Sequence, residues 1–303
     1  MTLIQKTLTT LVILTMIGCG SRQPNAKNMT PITIGIVADC QYCHCESTTS
    51  RFYKNSPRKL KNAVDSLNRS PLDYAIHLGD FIDRDFNSFD TLAPIWGNLK
   101  AKKYQVLGNH DFSVADSLKP LVPKKMNLTE RYYSFVENNW RFIVLDGNDL
   151  SYQGAITPKK IAETDSLFAL LSKSDLPNLQ TWNGGLSNEQ LQWVERELQL
   201  AQKNGENVGF YCHFPVLGED KVHRLWNSQQ FISLIDQYPQ VKFYFNGHNH
   251  IGDYMQRNGV HYLTYKGMVD TNNTTAFATV KITTDSILVQ GYGREPSRSL
   301  QIK

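Results

Sequence analysis

Five short polar clusters each follow an apolar run in this chain. They are Asp39-Cys40-Gln41, the segment from Gly79 to Arg84 that holds Asp80, Gly108-Asn109-His110-Asp111, Cys212-His213 and Gly247-His248-Asn249-His250. Four of the eight histidines fall in them. Carboxylate, amide and imidazole are oxygen and nitrogen donors, a set that suits Mn²⁺, Fe²⁺ or Zn²⁺ better than Ca²⁺. One histidine after a strand is more often a satisfied structural residue than a ligand. A Gly-Asn-His-Asp with a downstream Gly-His-x-His, inside an ordered set of five clusters, is far harder to obtain by accident. The glycines let the backbone turn sharply beside a bound group. The chemistry indicated is that of a metal centre.

The elements that must position these clusters are legible as periodicity. Residues 32–38 are an apolar, β-branched run and read as a buried strand. Residues 57–69 carry Leu60, Val64 and Leu67 at helical spacing, and 74–78 read as a second strand. A helix over 88–101 and a strand over 104–107 follow. This alternation predicts parallel pairing through right-handed crossovers. Residues 131–136 and 140–145 flank Glu137-Asn138-Asn139 as a hairpin. Residues 149–185 read as an insertion with a short helix near 159–172. Ser187 and Gln190 form a capping-box pattern, and Leu191, Val194, Leu198 and Ala201 make the apolar stripe of the helix they open. Further strands are expected at 208–212, 241–246, 260–264, 276–282 and 286–289. The clusters thus sit at the carboxyl ends of strands, where an open α/β sheet forms its ligand crevice. No linker-like stretch divides 31–303, which reads as one domain.

With these residues in place, the chain resembles the calcineurin-like metallophosphoesterase superfamily. The resemblance implies an α/β fold: a double β-sheet sandwich flanked by helices, in four layers, with a two-metal centre. Carried over by motif, Asp39, Gln41, Asp80 and His250 would hold one ion, and Asp80, Asn109, His213 and His248 the other. Asp80 would bridge, since a carboxylate has two oxygens to share. His110 would face the substrate and protonate the leaving oxygen, with Asp111 orienting it. The superfamily usually has His where this chain has Gln41. One branch characteristically uses Gln, the manganese-dependent ADP-ribose/CDP-alcohol diphosphatases. Ala38 to Tyr42, Arg51-Phe52-Tyr53, Trp182 to Ser187, Leu225-Trp226-Asn227 and Gly291 to Pro296 also resemble that branch.

The resemblance therefore implies two divalent ions, manganese first and iron or zinc as alternatives. It implies in-line attack by hydroxide on one phosphorus of a pyrophosphate, with the ions lowering the pKa of water and neutralising phosphoryl charge. The substrate would be a small nucleotide-derived diphosphate. ADP-ribose would give AMP and ribose 5-phosphate; CDP-choline or CDP-glycerol would give CMP and a phospho-alcohol. Arg51, Phe52, Arg224 and Trp226 are candidate substrate contacts, aromatic faces for a base and guanidinium for phosphate. A phosphodiesterase acting on cyclic nucleotides or other small diesters is the alternative enzyme, disfavoured by Gln41. A surface lipoprotein that binds a phosphate ligand without turnover is the alternative of another class. Asp83 stands where purple acid phosphatases place a tyrosine ligand, which argues against that branch.

The N-terminus reads separately. Lys6 precedes an apolar run from Leu8 to Ile17, too short to span a bilayer and suited to a signal-peptide core. The run stops at Met16-Ile17-Gly18-Cys19, which resembles a bacterial lipoprotein signal. Residues 1–18 would be the signal, Cys19 the lipidated residue and 19–30 a polar tether, giving an exported lipoprotein anchored to a membrane of the cell envelope. Lys6, Arg22 and Lys27 are the only charges in 1–30, so removing these three from the net +4 leaves +1 for the remainder. That balance gives no nucleic-acid signature. Five cysteines are too few for a disulfide scaffold. Cys40, Cys43 and Cys45 surround His44 as free thiols, as an extra metal site, or with Cys40 bridged to one neighbour. Cys43 and Cys45 are too near in sequence for an easy bridge.

Overall fold

The structure, a computed structural model, describes residues 30–302; the leader, Cys19 and nearly all of the tether lie outside the described residues. In chain order the elements begin with β1 (Ile32–Val37), α1 (Ser56–Leu67), β2 (Tyr74–His77), α2 (Ser88–Gly97), β3 (Lys102–Gln105) and α3 (Val122–Lys125). They continue with β4 (Tyr133–Glu137), β5 (Trp140–Val144), α4 (Pro158–Leu171), α5 (Asn188–Asn204), β6 (Asn207–Tyr211) and α6 (Ser228–Ile235). The chain then runs through β7 (Val241–Asn246), β8 (Asp253–Arg257), β9 (Val260–Thr264), β10 (Ala276–Ile282), β11 (Ser286–Gly293) and β12 (Arg298–Gln301).

Two six-stranded sheets result. The first has the order β12-β11-β10-β1-β2-β3 and the second β4-β5-β6-β7-β9-β8. In the first, β1, β2 and β3 are parallel, as the strand–helix alternation predicts, and β10 returns antiparallel to β1. In the second, β5, β6, β7 and β9 are parallel, with β4 and β8 antiparallel at the edges. The sheets pack face to face. Ile34, Ile36 and Ile76 of one meet Phe142, Phe243 and Phe245 of the other in a single apolar layer. Across it the hydroxyls of Tyr74 and Tyr211 hydrogen-bond at 2.8 Å, which satisfies two polar groups that burial would otherwise penalise.

Helices cover both outer faces. Leu60, Val64 and Leu67 of α1 and Phe89, Leu92 and Trp96 of α2 pack on the first sheet. Leu191, Val194, Leu198 and Ala201 of α5 and Phe231, Ile232 and Ile235 of α6 pack on the second. The four-layer α/β sandwich is thus present. Ser187 caps α5 by accepting from Gln190 N, but Gln190 does not close the box. Its amide instead pairs with the backbone of Asp146 and with Asp149, tying α5 to the end of β5.

Four elements escaped the sequence reading, the first being α3, a single turn of four residues. β8 is a mostly exposed polar edge strand, so it lacks an apolar run, yet Asn258-Gly259 between β8 and β9 is a strong hairpin signal. α6 is only eight residues long, and β12 only four. α2 ends at Gly97 rather than 101, and β3 begins earlier than 104.

Candidate metal centre

The clusters converge at the carboxyl ends of parallel strands from both sheets. Asp39 and Gln41 follow β1, Asp80 follows β2, and Asn109 and His110 follow β3. His213 follows β6, and His248 and His250 follow β7. Asp39, Gln41, Asp80 and His248 hold positive φ of 52°, 43°, 54° and 70°. For non-glycine residues this conformation costs roughly 1–2 kcal/mol each, strain of the sort that clusters at functional sites. The turn after β2 needs Gly79 at φ 93°, where a Cβ would meet the His213 ring at 2.6 Å. A Cβ on Gly108 would meet the Asp80 carboxylate at 2.1 Å, so only glycine admits that approach.

Asp39, Asp80 and His250 place one donor atom each within 4.8 Å of one another, and so do Asp80, His213 and His248. Asp80 belongs to both groups. Asn109 Oδ1 lies 3.1 Å from His213 Nε2, and Gln41 Nε2 donates to Asp80 Oδ2 at 2.8 Å. All seven are at least nine-tenths buried.

The three histidines share one arrangement. His213 Nδ1 donates to the Leu78 carbonyl at 2.9 Å, which turns Nε2 toward Asp80 Oδ2 at 3.2 Å. His248 Nε2 donates to Asn183 Oδ1 at 2.9 Å, which turns Nδ1 inward. His250 Nδ1 donates to Asp270 Oδ1 at 3.1 Å, which turns Nε2 toward Asp39 Oδ1 at 3.5 Å. An outer acceptor fixing one ring nitrogen so that the other presents its lone pair is how metal-ligating histidines are held. Two buried atoms of the cluster's residues, Gln41 Oε1 and His250 Nε2, have no hydrogen-bond partner. Unpartnered buried polar atoms of this kind are rare without an ion or water to satisfy them, so the residues fit a pair of divalent cations.

Electrostatics agree. Burial would raise the Asp80 carboxyl, but His213, His110 and His248 outweigh it and hold the group well below the usual range. Burial would lower His250, but Asp270 and Asp39 push it up to about 9. Burial and the neighbouring His213 hold His248 well below its ordinary value. The centre is a place where buried carboxylates demand positive charge.

His110 lies in the wall of a cavity of about 340 Å³ shared with Gln41, Arg51, Asp80, Trp182 and His223. Its Nδ1 is 2.6 Å from Asp83 Oδ1, and its backbone N donates to Asp80 Oδ1 at 2.8 Å. This corrects the expectation for Asp111. That carboxylate is fully buried and accepts from the amides of Phe81 and Ile82 and, at 2.8 Å, of Gly108. It braces the β2 and β3 loops and does not touch the imidazole. The orienting group is Asp83, which also pairs with Arg84.

The other expected contacts divide. Arg51 lines the cavity, and its guanidinium has no partner among the described residues. Phe52 is half-buried and is not part of the cavity wall; its amide is tied to Val269 O at 3.0 Å. Arg224 spends its guanidinium on the carbonyls of Asp220 and Gly218. Trp226 is 2% exposed, donates to Gln180 O at 2.9 Å and packs on Phe168. Neither Arg224 nor Trp226 faces the cavity. Cys43 and Cys45 are joined by a disulfide, their Cα atoms 5.1 Å apart, and Cys40 is a free buried thiol 3.2 Å from His77 Nε2. That spacing lies within disulfide reach, so sequence proximity was the wrong guide.

Sequence reasoning did not single out Asp83 as the partner of His110, nor Asn183 and Asp270 as those of the inner histidines. Lys59 was missed with them. Fully buried on α1, it donates to the carbonyls of Met268 at 3.0 Å and Asp270 at 2.8 Å, and so fixes the loop that presents Asp270.

A family model described as calcineurin-like phosphoesterase matches residues 32–252. A Xenopus tropicalis protein named manganese-dependent ADP-ribose/CDP-alcohol diphosphatase is 30% identical over 320 residues, spanning 88% of this chain and 93% of its own length. A human protein of the same name is 29% identical, spanning 89% of this chain and 93% of its own. The crystal structure of a dimetal phosphatase from Danio rerio superposes with a TM-score of 0.80 at 25% identity, covering 90% of this chain and 99% of that one. A lupin purple acid phosphatase shares the fold at a TM-score of 0.61 and 13% identity, covering 91% of this chain and 54% of that one.

Proposed function

Since the chain belongs to the calcineurin-like phosphoesterase family, we propose that it is a manganese-dependent hydrolase of the diphosphate bond in ADP-ribose or CDP-alcohols. The observation that carries this reading is the inward lone pair of three outer-tethered histidines around two buried carboxylates. Asp39, Gln41, Asp80 and His250 would hold one ion and Asp80, Asn109, His213 and His248 the other. Bound there, two divalent ions lower the pKa of water to near neutrality and offset charge on phosphoryl oxygens.

The chain's own residues supply the rest. His110, with Nδ1 engaged by Asp83, has Nε2 left to protonate the departing phosphate oxygen. Arg51 offers an unpaired guanidinium to phosphate oxygens. Gln41 supports the diphosphatase branch over cyclic-nucleotide enzymes, which have histidine there. The products decide the matter. With Mn²⁺, ADP-ribose should give AMP and ribose 5-phosphate, and CDP-choline should give CMP and phosphocholine. Turnover confined to 2′,3′-cAMP and bis-p-nitrophenyl phosphate would overturn the reading.

We place the enzyme at the cell envelope, on the apolar run of residues 8–17 ending at Gly18-Cys19. A Cys19→Ser variant should leave the membrane fraction; if wild type is never found there, the anchor is refuted.

A further inference from the structure

We propose that Trp182 and His223 form the specificity wall of the cavity and bind a hydroxylated carbon skeleton, the sugar or polyol of the substrate. The inference rests on the diphosphatase reading above and deepens it.

The two ends of the cavity differ in chemistry. Arg51 marks one end. It forms a β-bridge with Asp270, the residue that tethers His250, so it belongs to the His250 side of the centre. Trp182 and His223 mark the other. The Trp182 ring centroid lies 5.4 Å from that of His248 and 5.0 Å from that of His223. A phosphate is drawn to the guanidinium end. The Trp182 end suits something neutral.

His223 is held with one ring nitrogen free. Its Nδ1 is engaged by the Asp220 carboxylate, which leaves Nε2 to exchange a hydrogen bond with a ligand. Nε2 has no partner among the described residues, and neither has the indole N–H of Trp182. A ring nitrogen beside an indole face and its N–H matches hydroxyls, which both donate and accept, carried on an apolar C–H surface. A phosphate gains nothing from the indole face, and the nearby Asp220 carboxylate disfavours an anion.

This wall is built, not incidental. Asn183 holds both halves: its Oδ1 accepts from His248, and its Nδ2 donates to Val222 O at 2.7 Å, next to His223. Asp253 Oδ2 accepts from Glu219 N at 2.7 Å and Asp220 N at 3.2 Å, and Arg224 closes the same loop from behind. A polar group held by such supporting contacts is pre-organised for a ligand.

Hydroxyls occur on either half of these substrates, and four substrates separate the sources. The test compares kcat/KM of wild type and His223→Phe, with Trp182→Leu as a second variant, on ADP-ribose, CDP-glycerol, CDP-choline and 2′,3′-dideoxy-CDP-choline. If the wall holds the terminal polyol, each variant loses about tenfold more on ADP-ribose and CDP-glycerol than on CDP-choline, mostly as raised KM. If it holds the nucleoside ribose, the excess loss falls on CDP-choline relative to its dideoxy analogue. Equal factors on all four substrates, or no change on any, overturn the proposal. Wild type that cleaves none of the diphosphates overturns the diphosphatase reading instead.

Discussion

The imidazole of His110 is engaged at Nδ1 by Asp83, 2.6 Å away, while its backbone amide grips Asp80. One residue thus links the open side of the cavity to the carboxylate common to both donor groups, with its ring left outside them. His110→Ala should lower kcat by about 10²–10⁴ while manganese content is retained. Asp83→Asn should cost less, about tenfold, because an amide keeps the acceptor and loses only the charge. Metal analysis beside steady-state rates checks both; loss of manganese in His110→Ala would refute the role. The seven inner residues were legible in the sequence because they lie in polar clusters just past strands and because the resembled family's motifs single them out from their neighbours there. The outer partners were not. Asp83 is three residues beyond Asp80, and Asn183 and Asp270 sit in unrelated loops, so no spacing ties them to a histidine. Asp111 misled for a local reason. Residues 110–112 form a 3-10 turn, in which successive side chains point about 120° apart, so the carboxylate next to His110 in sequence faces away from it.

At the scale of elements, β2 brings a liability to the same place. His77 is fully buried at the end of β2, with Nδ1 unpartnered and Nε2 against the Cys40 thiol. Burial pushes it down to about 3. Its unfolded value is about 6.5. Between those values the unfolded chain binds a proton that the folded chain refuses, so stability is full above pH 6.5 and falls as pH drops toward 3. From pH 7 to 4.5 this one group should cost about 2–3 kcal/mol. His77→Gln should flatten the acid limb of urea stability by that amount relative to wild type, with metal removed from both by chelator. Parallel limbs would show that His77 is not the source. The strands and helices that carry the site were the readable ones, because a buried parallel strand shows as an unbroken apolar run. β8 and β12 were not, because they pair at sheet edges with few inward side chains.

At the scale of the whole molecule, neither sheet holds a complete site. The first sheet supplies Asp39, Gln41, Asp80 and Asn109, the second supplies the three histidines, and Asp270 stands in the loop that crosses from β9 to β10. The inter-sheet layer is apolar and close-packed, so it fixes the distance between the two ligand sets. It does nothing to neutralise the buried carboxylates at its end. That pairing of halves was not legible in the sequence, since strand order depends on long-range returns such as β10 beside β1. It has a thermodynamic consequence. Ions that bind donors from both sheets bind only the folded chain, and each site filled at 100 times its Kd adds about 2.7 kcal/mol. Two such sites should raise Tm by roughly 10 °C for a chain of this size. EDTA should therefore lower Tm by about that much, and added Mn²⁺ should restore it in a concentration-dependent way. Replacing Asp80, the residue common to both groups, by Asn should remove most of the response, whereas Asp39→Asn should leave the half that the His213 and His248 group provides. A Tm indifferent to manganese in calorimetry would mean that the two sheets are held by their apolar layer alone and that the clustered donors do not share ions between them.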